Sequence, residues 1–501
     1  SDLNPETRRS GGMHYTSIEN IHKVIDPLFL DELKEEFNQI QQTAVARTQK
    51  RKLQDFQKKL ASLSFLDPAC GSGNFLTETY ICLRRLENVL RILQQNQIVL
   101  GDELISPIQV SISQFYGIEI NDFAVTVAKT ALWIAESQMM KETESIVLMH
   151  LDFLPLKTNA NITEGNALRI DWENIVPKNE LSYIMGNPPF IGYSLQTKEQ
   201  KEDILSIYVD ENGKPYKTAG KVDYVAGWYF KAAQLMQNTV IQTAFVSTNS
   251  ITQGEQVAAV WKPLYERFHI HIDFAHRTFI WDSEASQKAH VHCVIVGFST
   301  KLNTKERVLY SSDRFQIVDN INAYLVNAPD IFVESNKKPI CDVPEMVKGS
   351  SPVDGGNFFL DQEEYNLFSE KEPQSLKYIK QFFGAREYLH NIPRWCLWLI
   401  HISPSELLKM PLVKERVDAV KNFRLSSTKK ATRKYAEFPL RFMELRQPET
   451  NYILIPRHSS ENRRYIPFGF VNSDIICGDA NNMIPNATLY QFGVLTSNVH
   501  M

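Results

Sequence analysis

Three observations predict an α/β fold organised around a doubly wound, mostly parallel sheet. Short apolar runs at 63–66, 115–118, 181–185, 243–246 and 292–298 read as strands, with helical stretches between them. Two of these runs lead straight into turn motifs, Asp67-Pro68-Ala69-Cys70-Gly71-Ser72-Gly73-Asn74-Phe75 and Asn187-Pro188-Pro189-Phe190. Beyond about residue 300 the alternation fades into a different texture. Strands interleaved with helices pair in parallel, and such sheets bind ligands outside the carboxyl ends of their strands. The expected divisions are a helical segment at 1–60, the α/β core at 61–300, a connector at 301–375 and a mixed α/β domain at 376–501.

The opening segment earns its helical reading from periodicity. Ile18, Ile21, Val24 and Ile25 lead into Phe29, Leu30, Leu33 and Phe37 at helical spacing, and Gln/Lys-rich surface positions follow. The stretch 192–222 has few apolar residues, with Gly192, Gly213 and Gly220 spaced through it, and reads as a long loop, either a lid or a plain surface excursion. Pro339, Pro344, Pro352, Gly355 and Gly356 give 335–375 the composition of a connector.

At 501 residues the chain is long enough for two or three compact units. Hydrophobic content of 43% and charged content of 22% are those of a soluble globular protein, with no run of the roughly 18 apolar residues that a membrane span needs. The N-terminus has no secretory pattern, so a cytoplasmic location is expected. Six cysteines without a C-x-x-C pair argue against a zinc cluster or a disulfide framework, and no metal is expected.

The net charge of −4 conceals an uneven distribution. Residues 371–470 hold nine Lys and ten Arg against nine Asp or Glu, a local balance of +10 that leaves −14 for the remainder. Aromatics are interleaved with these cations, as in Arg394-Trp395 and Arg441-Phe442, and the region is a candidate polyanion surface.

In the first motif, Gly71 and Gly73 permit positive φ and a close backbone approach to a ligand. The turn differs from the dinucleotide G-x-G-x-x-G because an acidic residue, Asp67, opens it. A carboxylate there suits a cofactor with a cationic amino-acid end, such as the methionine part of S-adenosylmethionine. Asn74 is placed to cap the next helix. Glu119, ending the second strand and followed by Ile120, is the candidate ribose anchor. Asn166, in Gly165-Asn166-Ala167-Leu168, is the candidate for the cofactor's adenine amino group, with Asp152 as its rival. The cofactor set is thus Asp67, Ala69, Cys70, Gly71, Gly73, Asn74, Phe75, Glu119, Ile120, Asn166 and Ala167.

The second motif offers acceptors. An exocyclic arylamine is a poor nucleophile because its lone pair is delocalised into the ring. The Asn187 side-chain oxygen and the Pro188 carbonyl would each accept one N–H, favouring a pyramidal nitrogen whose lone pair faces the methyl donor. In-line methyl transfer then depends on positioning and electrostatics rather than on a strong base. Pro188 and Pro189 stiffen the turn, and Phe190 would stack on a base extruded from its duplex. Asn187, Pro188, Pro189 and Phe190 are the catalytic candidates.

These motifs resemble those of the amino-methyltransferases, and their order along the chain resembles the gamma class of N6-adenine DNA methyltransferases. Gly11–Ser17 is similar to that class's preceding cofactor segment, implying a contact from Tyr15 or Thr16, and Asp223–Phe230 is similar to the helix after the catalytic turn. More narrowly, Arg8–Glu35, Phe279–His292 and Arg457–Pro467 resemble the MmeI-like Type IIL restriction-modification family. The resemblance implies a Rossmann-like methyltransferase domain followed by a mixed α/β target-recognition domain, with a bacterial restriction-modification or defence role. Phe279 or Trp281 would supply a second aromatic face for the flipped base, or else be a core residue.

In that family 457–467 lies in the recognition domain, so Glu461 and Arg463 become candidates for reading base edges and Arg457 and Arg464 for binding alongside them. Arg394, Lys429, Lys430, Arg433 and Arg441 are candidate DNA contacts, the last four to phosphate. The chain shows no nuclease signature; a nuclease domain would precede Ser1 or reside in a partner subunit, and the recognition domain is expected to be cut short at Met501. Three other readings stay open: methylation of another planar amine (a protein glutamine or guanine in RNA), of cytosine N4, or DNA binding by an inactive specificity subunit.

Overall fold

The structure, a computed structural model, describes residues 16–95, 108–147, 159–281, 291–300, 306–312, 314–336, 338–339, 341–460, 463 and 465–497. The chain divides into two compact units, Ser1–Ser335 and Asn336–Met501.

The first unit is built on a nine-stranded sheet of order β3-β2-β1-β4-β5-β7-β6-β8-β9. Its strands are β1 (Phe65–Asp67), β2 (Phe115–Glu119), β3 (Asn161–Glu164), β4 (Tyr183–Gly186), β5 (Gln242–Thr248), β6 (His271–Trp281), β7 (Val291–Ser299), β8 (Arg307–Ser311) and β9 (Arg314–Val318). β1 to β5 pair in parallel throughout, β7 runs antiparallel between β5 and β6, and β9 is antiparallel to β8. Strand order therefore reverses between β1 and β4, one leading back to β2 and the other on to β5. In open α/β sheets ligands bind in the crevice at such a switch point.

Each central strand is apolar on both faces because helices cover both. Phe65, Met185, Ala244, Val246 and Ile295 enter one core, while their neighbours Leu66, Ile184, Phe245, Val294 and Val296 enter the other, as the period-two alternation of a strand requires. The first core is covered by α1 (Ile18–Ile25), α2 (Asp31–Gln41), α3 (Ala46–Ser62), α4 (Asn74–Gln95) and α5 (Asp122–Val147). A π-helical turn, Asp26–Leu30, joins α1 to α2 and buries Leu28, Phe29 and Leu30. The second core takes α6 (Lys198–Ile207), α7 (Ala226–Leu235) and α8 (Gly254–Phe268).

Two expectations change. The stretch read as a loop at 192–222 contains α6, whose Thr197 caps the first turn reciprocally with Gln200 and whose Ile204 is fully buried. It looked like a loop because only one face of a short helix is apolar. Within 301–375, read as a connector, β8 and β9 extend the large sheet; the two units divide between Ser335 and Asn336, at the start of the connector-like stretch 335–375 where the boundary was expected.

The second unit contains two four-stranded sheets. One has the order β10 (Val347–Lys348), β17 (Asn481–Pro485), β14 (Tyr452–Pro456), β15 (Gly469–Val471). The other runs β11 (Phe359–Leu360), β13 (Trp395–Leu397), β12 (Ile379–Phe383), β16 (Ile476–Cys477). Helices α9 (Gln362–Lys371), α10 (Ala385–His390), α11 (Pro404–Leu407), α12 (Pro411–Leu425), α13 (Lys430–Lys434) and α14 (Leu489–Leu495) complete it. Arg424 on α12 is fully buried and donates to five carbonyls, those of Pro352, Val353, Tyr435, Phe438 and Arg441. One guanidinium thereby shapes the basic segment that follows α13, with its five N–H donors answered by backbone.

Among the described residues no helix is long and apolar enough to cross a membrane.

Candidate active site at the switch point

β1 ends on Asp67 and β4 ends on Gly186, so the two turn motifs leave neighbouring strands at the same sheet edge. Their proximity is enforced by a missing side chain. A Cβ on Gly186 would overlap the Asp67 carboxylate, so glycine at that position lets Asp67 lie against the residue preceding Asn187.

Asp67 is 1% exposed, and its Oδ1 accepts the Ala69 N–H at 3.0 Å. Burial pushes its carboxyl up to about 8; the Ala69 N–H pulls the other way and the Glu119 charge adds to the rise. A buried carboxylate with so little compensation is the environment that a cationic ligand group stabilises. Gly71 has φ +53° and open space where a Cβ would stand, while a Cβ on Gly73, at φ +82°, would crowd the Ala128 Cβ at 3.1 Å. Gly71 leaves room above the turn, and Gly73 permits close packing against α5.

Glu119, at the end of β2, accepts the Gly71 N–H through Oε2 at 3.0 Å and the Asn121 N–H through Oε1 at 2.9 Å. Each oxygen keeps a second lone pair for a hydroxyl donor. Ile120 beside it is 67% exposed, an apolar surface at the strand ends. The Gly165 N–H donates to the Glu119 carbonyl, which brings the turn after β3 alongside. There Asn166 Oδ1 accepts the Leu168 N–H and Asn166 Nδ2 donates to Asp203 Oδ2, both at 2.9 Å.

The remaining cofactor candidates separate. Ala69 packs at the edge of the core. Cys70, Phe75 and Ala167 are buried within it, where their side chains shape the turns. Burial raises the Cys70 thiol well above its ordinary value, which keeps it protonated. Asn74 is the first residue of α4 rather than its cap: its Oδ1 accepts from the Ser72 hydroxyl, while the Gly73 carbonyl accepts from Thr77. Thr16 is buried just ahead of α1. Tyr15, Asp152, Glu461, Arg464 and the side chain of Trp281 lie outside the described residues.

The Asn187 Oδ1 is buried and has no hydrogen-bond partner among the described residues. An unpaired buried acceptor carries a desolvation cost of about 1–3 kcal/mol, which a donated N–H removes. Pro188 is buried, and Phe190 and Phe279 both pack, half-buried, on the same core.

Residues of the 223–230 segment, to which sequence reasoning assigned no contact, hold this turn. Asp223 accepts the Tyr193 N–H through Oδ1 (2.9 Å) and the Ser250 hydroxyl through Oδ2 (2.6 Å), tying the chain after Phe190 to the turn after β5. The Trp228 indole N–H on α7 donates to the Pro68 carbonyl at 3.0 Å, locking the first motif to the helix that follows the second. Only Gly186, directly ahead of Asn187, carried a local signal. The others act across tens of residues.

The fold also gathers His22, Glu78 and Cys82, whose ligand-type atoms lie within 4.8 Å of one another. His22 bonds Asp26 and Glu78, which ties α1 to α4.

In the second unit the basic candidates divide by what they touch. Arg394 bonds Glu387 at 2.9 Å and lies 4.6 Å above the Phe359 ring, so its guanidinium serves the unit's own packing. Arg433 donates to the carbonyls of Ser427 and Thr428 while staying exposed. Lys429, Lys430 and Arg441 are exposed around α13, as are Arg457 and Arg463 further on. Arg457 also reaches the Asp479 carbonyl at 3.4 Å.

A parallel 3-2-1-4-5 order continued by an antiparallel strand, with an acidic glycine turn after β1 and Asn-Pro-Pro-Phe after β4, defines the Rossmann-like methyltransferase fold class. Within it the chain belongs to the MmeI family: residues 43–311 match the MmeI DNA-methyltransferase domain and 327–501 the MmeI target recognition domain. It is 41% identical over 501 residues to DNA methyltransferase A of Bacillus subtilis (strain 168), covering 99% of this chain and 55% of that protein. The Type IIL restriction-modification enzyme MmeI, solved in complex with DNA, superposes with a TM-score of 0.86 at 43% identity, over 99% of this chain and 65% of that one. The chain thus spans less than two thirds of each relative's length.

Proposed function

We propose that this chain is the methyltransferase and target-recognition portion of a site-specific DNA methyltransferase, acting on the N6 amino group of adenine within a restriction-modification system. The observation that carries the reading is the buried Asn187 Oδ1, without a hydrogen-bond partner among the described residues and directly after the glycine against which Asp67 lies. One motif is suited to an ammonium group and the other to an amino N–H.

The donor set fits S-adenosylmethionine. Asp67 would hold the amino-acid end, Gly71 the close approach, Glu119 the ribose hydroxyls, Ile120 the adenine face and Asn166 its amino group. When bound, the cofactor supplies a methyl group on a sulfonium. Asn187 Oδ1 and the Pro188 carbonyl accept the two amine N–H groups, aiming the nitrogen lone pair out of the ring plane. Those acceptors would stabilise the positive charge that a transferred methyl group puts on the nitrogen, until its proton leaves to solvent. Phe190 stacks on the extruded base, replacing part of the stacking lost from the duplex. Lys429, Lys430 and Arg441 neutralise phosphates, and Arg457 and Arg463 belong to the proposed base-reading segment, 457–467. The family match and the DNA-bound relative support duplex DNA as substrate.

The test uses tritiated cofactor and mixed duplex DNA. The expected product is N6-methyladenine, with at least a hundredfold loss, about 2.7 kcal/mol of transition-state stabilisation, in Asn187→Ala. Absence of adenine methylation, or unchanged methylation in Asn187→Ala, refutes the reading. Label in protein, RNA or cytosine would transfer it to another planar amine.

A further inference from the structure

Asp203 is the most heavily bonded buried carboxylate beside the candidate site. It sits on α6 at 4% exposure, and its Oδ2 accepts both the Asn166 Nδ2 and the Tyr224 hydroxyl at 2.9 Å. Its Oδ1 accepts the Arg169 Nε at 2.6 Å. Donors from the turn after β3 and from the start of the 223–230 segment thus meet on one side chain.

The polarity of these bonds is unambiguous. An ionised carboxylate only accepts, and the Leu168 N–H that bonds Asn166 Oδ1 only donates. Inverting the Asn166 amide would set C=O against carboxylate and NH₂ against N–H, two repulsive pairs at a part-buried position. Nδ2 is therefore engaged by the helix, and Oδ1 remains on the turn beside the strand ends with one lone pair to offer. A free asparagine presents either end to a ligand. This one presents an acceptor.

We propose that Asp203 is a specificity-determining positioning residue, which orients the Asn166 amide so that the site selects a 6-amino purine over a 6-oxo purine in its nucleoside cofactor. The inference rests on the reading of Asn166 as the adenine contact. An adenine 6-amino group donates to the fixed Oδ1, whereas a hypoxanthine 6-oxo group meets it acceptor to acceptor. α6 then acts as the strut that sets cofactor selectivity, not as a free lid.

Calorimetric binding of S-adenosylhomocysteine and its hypoxanthine counterpart, S-inosylhomocysteine, tests this with the whole chain. Wild type is expected to prefer the adenosyl compound by about tenfold or more, the scale of one hydrogen bond exchanged for a repulsive pair. In Asp203→Asn, residue 203 can donate as well as accept, so of the two repulsive pairs that oppose inversion of the Asn166 amide only that with the Leu168 N–H is left, and the preference should narrow to about threefold or less. The double variant Asn166→Asp/Asp203→Asn restores a donor–acceptor pair and leaves residue 166 able only to accept, so it should regain the preference; thermal melts verify folding. A wild-type ratio in Asp203→Asn, or no recovery in the folded double variant, overturns the inference. Asn166→Ala separates the two claims. If it retains the wild-type ratio, Asn166 does not contact the adenine and the underlying reading fails; if it narrows the ratio while Asp203→Asn does not, only the role of Asp203 fails.

Discussion

Asp67 shows how one residue's environment becomes a measurable property of the site. Its folded value of about 8 stands above the ordinary carboxylate value of about 4, so the native state holds the proton more tightly than the unfolded chain does. The corresponding stability is fully present below about pH 4, is lost as pH rises toward 8, and changes no further above that. Asp67→Asn keeps an acceptor for Ala69 but does not titrate. Wild type should therefore lose thermal stability relative to Asp67→Asn between about pH 5 and pH 8, and parallel melting curves would contradict the assignment. A bound ammonium group favours the ionised form, so S-adenosylhomocysteine should bind wild type more tightly across the same interval, with that dependence absent in Asp67→Asn. Gly186 belongs to the same account: the carboxylate occupies the space that any side chain there would fill.

At the scale of elements, the helices behind the sheet are joined by a buried network that the sequence does not announce. Arg84 and Glu87 on α4 are fully buried and bonded at 2.5 Å; Glu87 also accepts from Gln57 of α3 and from the Gln109 N–H, while Arg84 reaches Thr143 of α5. Removing one partner of a buried pair leaves the other charge uncompensated. Glu87→Ala should cost about 3–5 kcal/mol in urea unfolding, and a change under about 1 kcal/mol would show that the pair is replaceable. The strands that were legible in the sequence, β1, β2, β4, β5 and β7, are those apolar on both faces. β3 was not, because it is an edge strand of four residues with only Ile162 buried. β6 was not, because His271, Asp273, His276 and Arg277 interrupt its apolar residues. The α6 capping box, Thr197 to Gln200, was readable but lay in a stretch whose composition suggested a loop.

For the whole molecule, charge is the property that ties the units to a function. An overall balance of −4 with +10 concentrated in 371–470 is what supports the proposal of a polyanion surface in the second unit. Replacing Lys429, Lys430 and Arg441 by Ala should lower the dependence of log K on log salt by about one unit each, measured on duplex DNA at several ionic strengths. An unchanged slope would move the DNA surface elsewhere. Arg394 illustrates why charge alone misleads, since its guanidinium is bonded to Glu387 and packed over Phe359. The sequence by itself determined the sheet class, the family, and which turns are proposed to bear the chemistry, because short motifs with fixed backbone demands and two-faced apolar strands are local properties. Tertiary structure alone decided that Asp67 lies against Gly186, that Asn187 Oδ1 is left without a partner among the described residues, and that Asp203 accepts from the Asn166 amide. The two contacts join residues 119 and 37 positions apart, separations at which no local pattern acts.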